Sequence, residues 1–229
     1  MNNKQQKDFA AVLFDLDGTL LETLTDLAEA MNTSLVHFGF KPHTVDAFRY
    51  FVGESVAVEA KRALPESARD PQTVEKVAEY SQQIYADCWH KNTRPYPGIP
   101  ELLTALQKRG LKLTVLSNKI DKFTKTMVKT LLPQWRFEMV QGALPDVPLK
   151  PHPDLALQIA NHLRISPEQF LYVGDSNIDM LTASAAKMFP VGCLWGYRTA
   201  DELLKAGAKA LVKTPAEVLD IIDNSKNKK

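Results

Sequence analysis

The chain has little cysteine, no long apolar run and almost no net charge. Its 229 residues include only Cys88 and Cys193, with no CxxC pair, so a disulfide framework is not expected and a reducing compartment fits. No apolar run is long enough to span a bilayer, and segment 1–8 is too polar for a signal peptide. With 28 basic and 27 acidic residues, the formal charge of +1 does not indicate nucleic acid or a membrane surface as a partner. We therefore expect a cytoplasmic protein with neither of those partners.

Apolar residues are plentiful, and their order along the chain predicts a fold. They make up 45% of the sequence, which can supply a sizeable core for one α/β domain with a smaller insert. From residue 97 onward, short apolar runs alternate with segments of helical spacing. This alternation predicts a Rossmann-like parallel sheet with helices on both faces and ligands at the carboxyl ends of the strands. The predicted strands are 112–116, 137–141, 170–173, 189–194 and 210–213, and the predicted helices are 100–109, 122–132, 154–163, 179–186, 203–205 and 215–222.

Residues 21–94 lack this strand signal. Leu24, Leu27, Ala28, Met31 and Leu35 form a helical stripe, and segments 56–63 and 74–89 also favour helices. We therefore predict an all-helical domain over 21–94, inserted into an α/β core made of 1–20 and 95–229. The prolines and glycine of segment 94–98 are typical of the connection back to the core.

The first apolar run, 11–14, ends in two carboxylates, Asp15 and Asp17, followed by Gly18. Buried carboxylates repel each other and tend to protonate unless a cation keeps them charged. On an extended segment the two acids lie on the same side, and Gly18 allows a turn whose amides are open to an anion. These features suit a site where Mg²⁺ and phosphate meet, although an ordinary Asp-Gly turn is the alternative for this segment alone.

Polar residues also follow two later strands, and a lysine precedes a later helix. Ser117 and Asn118 come after strand 112–116, Lys150 stands among three prolines, and Asp175 follows strand 170–173. Taken singly, these segments are compatible with a turn, an exposed lysine and a helix N-cap. Because the carboxyl ends of parallel strands share one edge of the sheet, their combination favours a single site.

In this order the four segments resemble the haloacid dehalogenase superfamily of phosphotransferases. The helical block after the first strand is similar to the cap of that superfamily. Segments 21–28, 51–55, 195–198 and 206–208 are similar to phosphoglycolate phosphatases, so the resemblance covers nearly the whole chain. The matching residues are Asp15, Asp17, Ser117, Lys150, Asp175 and Asp179.

The resemblance implies roles for the acids. Asp15 would attack phosphorus and form an aspartyl-phosphate, while Asp17 would protonate the leaving alkoxide and later deprotonate water. Mg²⁺ would be bound by the Asp15 carboxylate, the backbone carbonyl of Asp17 and Asp175. Asp179 is expected to support this site, with direct ligation of the metal left open.

The resemblance also implies groups that bind the substrate. Phosphate would be bound by Gly18, Thr19, Ser117, Asn118 and Lys150, of which Lys150 would also neutralise Asp15. In the cap, Gly53 and Glu54 are expected to contact the organic part of the substrate.

The predicted function is Mg²⁺-dependent hydrolysis of a small phosphorylated metabolite, similar to 2-phosphoglycolate, by a monomer or homodimer. Asp17 excludes the dehalogenase branch, which has no acid at that position. A phosphosugar mutase, a nucleotide phosphatase and a catalytically silent binding protein are the alternatives. Glu54 leaves the glycolate assignment open, because its charge would repel a carboxylated substrate.

Overall fold

The computed structural model of the chain describes residues 8–226, so the expectation for the polar N-terminal segment lies almost wholly outside the described residues. Two compact units are present, one formed by the chain up to Leu20 together with the chain from Pro95, and the other by Leu21–Arg94. The strands are β1 (Ala11–Phe14), β2 (Leu21–Glu22), β3 (Arg94–Pro95), β4 (Lys112–Ile120), β5 (Phe137–Ala143), β6 (Phe170–Gly174), β7 (Phe189–Cys193) and β8 (Ala210–Val212). The α-helices are α1 (Leu24–His37), α2 (Phe48–Phe51), α3 (Val56–Ala63), α4 (Pro71–Cys88), α5 (Ile99–Lys108), α6 (Asp121–Leu131), α7 (Asp154–Leu163), α8 (Asn177–Ala185), α9 (Ala200–Lys205) and α10 (Glu217–Lys226).

The larger unit is built on a six-stranded sheet in the order β5-β4-β1-β6-β7-β8, and each neighbouring pair is parallel. All four residues of β1 are buried, as expected for an apolar strand at the centre of a sheet covered by helices. Phe170 and Tyr172 of β6 are fully buried with Leu155 and Ile159 of α7 in the core. The Rossmann-like α/β fold expected from the sequence is therefore confirmed.

Strand β4 is longer than the sequence predicts. The strand was expected to end at Leu116, but it continues to Ile120. Leu116 pairs with Gln141 and Ile120 with Ala143, so the pairing shifts register between them and the strand bulges there. Bulges re-aim side chains next to functional sites, and this one contains Ser117, Asn118 and Lys119.

The smaller unit is mainly helical, and its two long helices form where the sequence predicts them. Helix α4 begins with two start signals, because the Asp70 carboxylate accepts a hydrogen bond from the Thr73 amide at 3.1 Å and Pro71 occupies the first turn. Helix α1 buries four residues of the predicted apolar stripe, and the fifth, Leu27, is half-buried. The pairing of β2 with β3 in a two-stranded sheet is a detail that the sequence did not predict. Two-residue strands are too short for a periodic pattern to reveal.

Within the described residues, none of the helices combines the length and the apolar character needed to cross a membrane.

Candidate active site

The parallel register aligns the ends of the three central strands. Phe14, the last residue of β1, is level with Val115 of β4 and with Val173 of β6. The Asp15 amide then donates to the Val173 carbonyl at 3.0 Å, which carries the alignment one residue further. The polar residues that follow these strands are therefore brought together at one edge of the sheet, as predicted.

Lys150 joins two of the acids. Its ammonium group donates to Asp15 Oδ1 at 2.8 Å and to Asp179 Oδ1 at 2.7 Å. The loop that carries Lys150 is fixed by Asn118, whose Oδ1 accepts from the Lys150 amide at 2.8 Å and whose Nδ2 donates to the Lys150 carbonyl at 3.1 Å. A buried lysine with two carboxylate partners is not an ordinary exposed lysine.

Asp175 accepts hydrogen bonds from two donors and lies close against two glycines. Its Oδ1 accepts from the Thr19 hydroxyl at 3.0 Å, and its Oδ2 accepts from the Tyr197 amide at 2.8 Å. Gly18 has a φ of +82°, and a Cβ there would stand 2.4 Å from Asp175 Oδ2. A Cβ on Gly196 would stand 2.2 Å from the Asp175 Cβ. The glycines are therefore required by close approach to this carboxylate.

Asp179 has a structural role at the start of α8. Its Oδ2 accepts from the Ser176 amide at 3.1 Å and from the Ser176 hydroxyl at 2.6 Å, while the Asp179 amide donates back to Ser176 Oγ. Ser176 is thus the N-cap in a capping box, and the alternative that Asp175 is the N-cap is wrong. Since Lys150 is bound to the other oxygen, Asp179 fits the supporting role expected of it better than direct ligation.

The donor set of this cluster fits a hard divalent cation. Asp15, Asp175 and Asp179 are buried, and each offers an oxygen within 4.8 Å of the others. Burial, followed by repulsion from Asp179, raises the pKa of Asp15 well above its ordinary value against the opposing effect of Lys150. Burial and the Asp179 charge also raise the pKa of Asp175 to about 7, although the Tyr197 and Thr19 hydrogen bonds oppose them. The cluster is short of positive charge, and carboxylate oxygens are the ligands that Mg²⁺ prefers.

Lys150 keeps its positive charge although its side chain is buried. Burial alone would lower its pKa, but the charges of Asp15 and Asp179 outweigh burial and raise the pKa well above its ordinary value. Lys150 is therefore a permanent cation beside Asp15.

Asp17 lies next to a different lysine. Lys119 Nζ is 2.9 Å from Asp17 Oδ2. Asp17 Oδ1 is buried and has no hydrogen-bond partner among the described residues. Asp15 and Asp17 therefore have separate cationic partners, and one oxygen of Asp17 is available for a proton transfer.

The predicted phosphate ligands are in the larger unit, and two of them already form hydrogen bonds with other residues of the site. The Thr19 hydroxyl donates to Asp175, and the Ser117 hydroxyl accepts from the Lys119 amide at 3.2 Å. A hydroxyl that accepts one hydrogen bond still has a proton to donate to phosphate. Phosphate binding by Gly18, Thr19, Ser117 and Asn118 stays a prediction.

The two predicted cap residues are in the smaller unit. Gly53 has a φ of +115°, so the turn needs glycine there. Glu54 is paired closely with Arg62, which also donates to the Phe51 carbonyl at 3.1 Å. Arg62 therefore offsets the negative charge on which the argument against a carboxylated substrate depends. A role of Gly53 and Glu54 in binding substrate stays a prediction.

Several contacts of the site were not found from the sequence. Lys119 pairs with Asp17, and the Trp195 indole donates to the Thr19 carbonyl at 3.0 Å. Tyr197 binds Asp175 through its backbone amide, which no side-chain pattern reveals. Ser176 does have a sequence signal, because a serine three residues before an aspartate is typical of a capping box.

Comparisons with known proteins agree with this geometry. The family model described as haloacid dehalogenase-like hydrolase matches residues 12–192. A Pseudomonas putida protein named phosphoglycolate phosphatase is 31% identical over 189 residues, covering 81% of this chain and 70% of that protein. An Aquifex aeolicus protein of the same name is 30% identical over 213 residues, covering 93% and 96%. A crystal structure of a candidate phosphoglycolate phosphatase from Lactobacillus delbrueckii aligns with a TM-score of 0.89 and 30% identity, covering 94% of this chain and 98% of that one.

Proposed function

The chain belongs to the haloacid dehalogenase-like hydrolase family and is a phosphoric monoester hydrolase, and we propose that it uses Mg²⁺ and an aspartyl-phosphate on Asp15. The observation that carries this proposal is the buried ion pair between Asp15 and Lys150 within a cluster of carboxylates. A buried acid held at one oxygen by a cation has a fixed orientation, which an in-line attack on phosphorus requires. The phosphoglycolate phosphatase relatives support 2-phosphoglycolate as the substrate.

Asp15 is the proposed nucleophile. Lys150 keeps one of its oxygens oriented and offsets its charge, so that a phosphate dianion can approach. The bond from phosphorus to the ester oxygen breaks as the bond to Asp15 forms, and water later cleaves the aspartyl-phosphate. One difficult step is thereby divided into two easier ones.

Asp17 is the proposed general acid and base. It gives a proton to the leaving alkoxide and takes one from the water that attacks the aspartyl-phosphate. The unpartnered Oδ1 supports this role, because a proton bound there is not committed to a described neighbour.

Asp15, Asp175 and the carbonyl of Asp17 are the proposed metal ligands. When bound, Mg²⁺ supplies positive charge that offsets the developing charge on the phosphoryl oxygens. Thr19 and Tyr197 orient Asp175 for this purpose, and Asp179 holds Lys150.

Two variants and an acid-quench experiment test the mechanism. Asp15→Asn should abolish release of phosphate from 2-phosphoglycolate and from an aryl phosphate while the circular dichroism spectrum stays unchanged. A residual rate above a few per cent, a barrier change below about 2 kcal/mol, would contradict the covalent route. Asp17→Asn keeps the nucleophile, so brief incubation with a labelled aryl phosphate, whose leaving group needs little protonation, should leave acid-stable label on the protein. The double variant should carry none.

A panel of phosphate esters tests the substrate. Higher kcat/KM for hexose phosphates or nucleotides than for 2-phosphoglycolate would favour the mutase or nucleotide phosphatase alternatives over the proposed substrate.

A further inference from the structure

The Lys119–Asp17 pair is a second charged contact of the site, separate from the one made by Lys150. The Lys119 side chain is only 8% exposed, and its ammonium group is 2.9 Å from Asp17. Lys150 has two carboxylate partners and is deeply buried. Of these two lysines, Lys119 is therefore the one next to the acid assigned to the leaving group.

From this pair, and resting on the proposed function, we propose that Lys119 determines specificity by binding an anionic group, such as a carboxylate, on the leaving alcohol. Asp17 must reach the ester oxygen in order to protonate it, so a cation bound to Asp17 is adjacent to the atoms attached to that oxygen. An ammonium group has three donors, and it can bind Asp17 and a substrate carboxylate together.

The balance of charges at the site determines whether a carboxylated substrate can bind, and Lys119 contributes to that balance. With all four ionised, as binding of a cation favours, Asp15, Asp17, Asp175 and Asp179 contribute four negative charges, whereas Lys119 and Lys150 contribute two positive ones. A divalent cation offsets the difference, and a phosphate dianion makes the site negative again. A further carboxylate on the substrate is then repelled unless a cation binds it directly.

Hydrogen bonds fix the backbone on both sides of the Lys119 Cα, so the position of its Cα is defined. The Lys119 amide donates to Ser117 Oγ at 3.2 Å, and its carbonyl accepts from the Thr124 hydroxyl at 3.1 Å. A Cβ on Gly142 would stand 2.6 Å from the same carbonyl, so strand β5 packs tightly against the bulge. Redirecting the ammonium group therefore requires only rotation of the side chain, not movement of the strand.

The test compares two esters of nearly the same shape, 2-phosphoglycolate and 2-phosphoglycolamide, which differ in the charge of the leaving alcohol. Lys119→Met should lower kcat/KM for 2-phosphoglycolate by about tenfold to a hundredfold, chiefly through KM, the range for loss of a hydrogen bond between charged groups. Any effect of this variant through Asp17 is common to both esters, so the readout is the ratio of kcat/KM for 2-phosphoglycolate to kcat/KM for the amide, which should fall by most of the same factor. Lys119→Arg should restore most of the preference for the carboxylate. Lys125→Met is the matched control, because Lys125 also pairs with an aspartate, Asp121 at 2.7 Å, but on an exposed helix face.

A binding measurement separates specificity from positioning. In an Asp15→Asn background, calorimetry should show that Lys119→Met weakens binding of 2-phosphoglycolate but not of inorganic phosphate. An equal fall in kcat for both esters, with binding unchanged, would mean that Lys119 only positions Asp17 and would overturn the proposal. Arg198 is another cation of the site, since its charge acts to lower the pKa of Asp175. Loss of the preference on Arg198→Met but not on Lys119→Met would overturn the proposal as well.

The proposal and the function on which it rests fail differently. A wild-type protein that hydrolyses the amide as well as the carboxylate refutes the role of Lys119 and leaves the phosphatase mechanism standing. A protein whose Asp15→Asn variant remains active refutes the mechanism itself.

Discussion

Gly196 lies against Asp175 so closely that a Cβ on Gly196 would stand 2.2 Å from the Asp175 Cβ. The residues on either side of Gly196 also support this carboxylate. The Tyr197 amide donates to Asp175 Oδ2 at 2.8 Å, and the Trp195 indole donates to the carbonyl of Thr19, whose hydroxyl donates to Asp175 Oδ1. The segment 195–197 therefore orients a proposed metal ligand without contributing a ligand of its own.

We predict that Gly196→Ala weakens metal binding. The added methyl group must displace Asp175, and loss of such a supporting contact typically lowers metal affinity by about tenfold to a hundredfold. Titration of the protein with Mn²⁺, followed by electron paramagnetic resonance, measures this affinity without an activity assay. Trp195→Phe should have a smaller effect in the same direction.

Gly192→Ala is the control for that experiment. Neither Gly192 nor Gly196 has a positive φ, so alanine strains neither backbone. A Cβ on Gly192 would stand 2.9 Å from the flexible ends of Leu203 and Leu211 and 3.2 Å from the Leu203 Cβ, and none of these three nearest atoms belongs to Asp175. If both alanine variants bound Mn²⁺ like the wild type, Asp175 would not need this support.

The requirement for metal is a second prediction. Exhaustive chelation should remove activity, Mg²⁺ should restore it, and Ca²⁺ should inhibit. The larger Ca²⁺ ion accepts variable coordination and would loosen the geometry that an in-line attack needs. Release of phosphate from an aryl phosphate measures each case, and full activity after chelation would contradict a metal site at Asp15 and Asp175.

Much of this site was predictable because its signals are local. Asp15, Asp17 and Asp175 each follow an apolar run, and the parallel order of the strands is enough to bring them to one edge of the sheet. Lys150 was predictable for a similar reason, since the prolines around it indicate a fixed loop before a helix. In each case short segments and general rules of topology were sufficient.

The contacts that sequence did not predict depend on register and on backbone groups. The bulge in β4 directs Lys119 toward Asp17, and a bulge of this kind leaves no mark on the apolar pattern of the strand. Tyr197 acts through its amide, and Trp195 reaches a carbonyl that lies 176 residues away in sequence. Each of these partners is set by tertiary packing, which a local pattern does not contain.

The cap turn gives a third prediction. Glu54→Ala removes the partner of Arg62 and leaves an uncompensated positive charge, so carboxylated esters should gain in kcat/KM relative to neutral ones. Ser117→Ala should slow all esters similarly, because every ester has the same phosphate group. The double variant Glu54→Ala/Arg62→Met, which restores electrical balance, should return the ranking toward that of the wild type. An unchanged ranking in Glu54→Ala would place specificity elsewhere.

The last prediction concerns the stability of the smaller unit, where Asp26 of α1 is fully buried. Its carboxylate accepts hydrogen bonds from the amides and side chains of both Asn92 and Thr93, at 2.7 to 3.0 Å. Burial acts to raise the pKa of Asp26, but these hydrogen bonds outweigh it and the pKa is lowered. Asp26→Asn places an amide donor against those donors and should destabilise the protein by about 2–3 kcal/mol at pH 7.

The pH dependence of that loss is a further check on Asp26. Because the folded-state pKa is lowered, the stabilisation is complete above the ordinary carboxyl pKa of about 4 and disappears as the pH falls through the folded-state pKa. Urea denaturation midpoints of the wild type and of Asp26→Asn should therefore differ most at pH 6–7 and converge below about pH 4. Asp87→Asn, on an exposed face of α4, should leave the midpoint unchanged throughout. A difference between wild type and Asp26→Asn that stayed constant with pH would mean that the ionised carboxylate is not what holds α1 to residues 92 and 93.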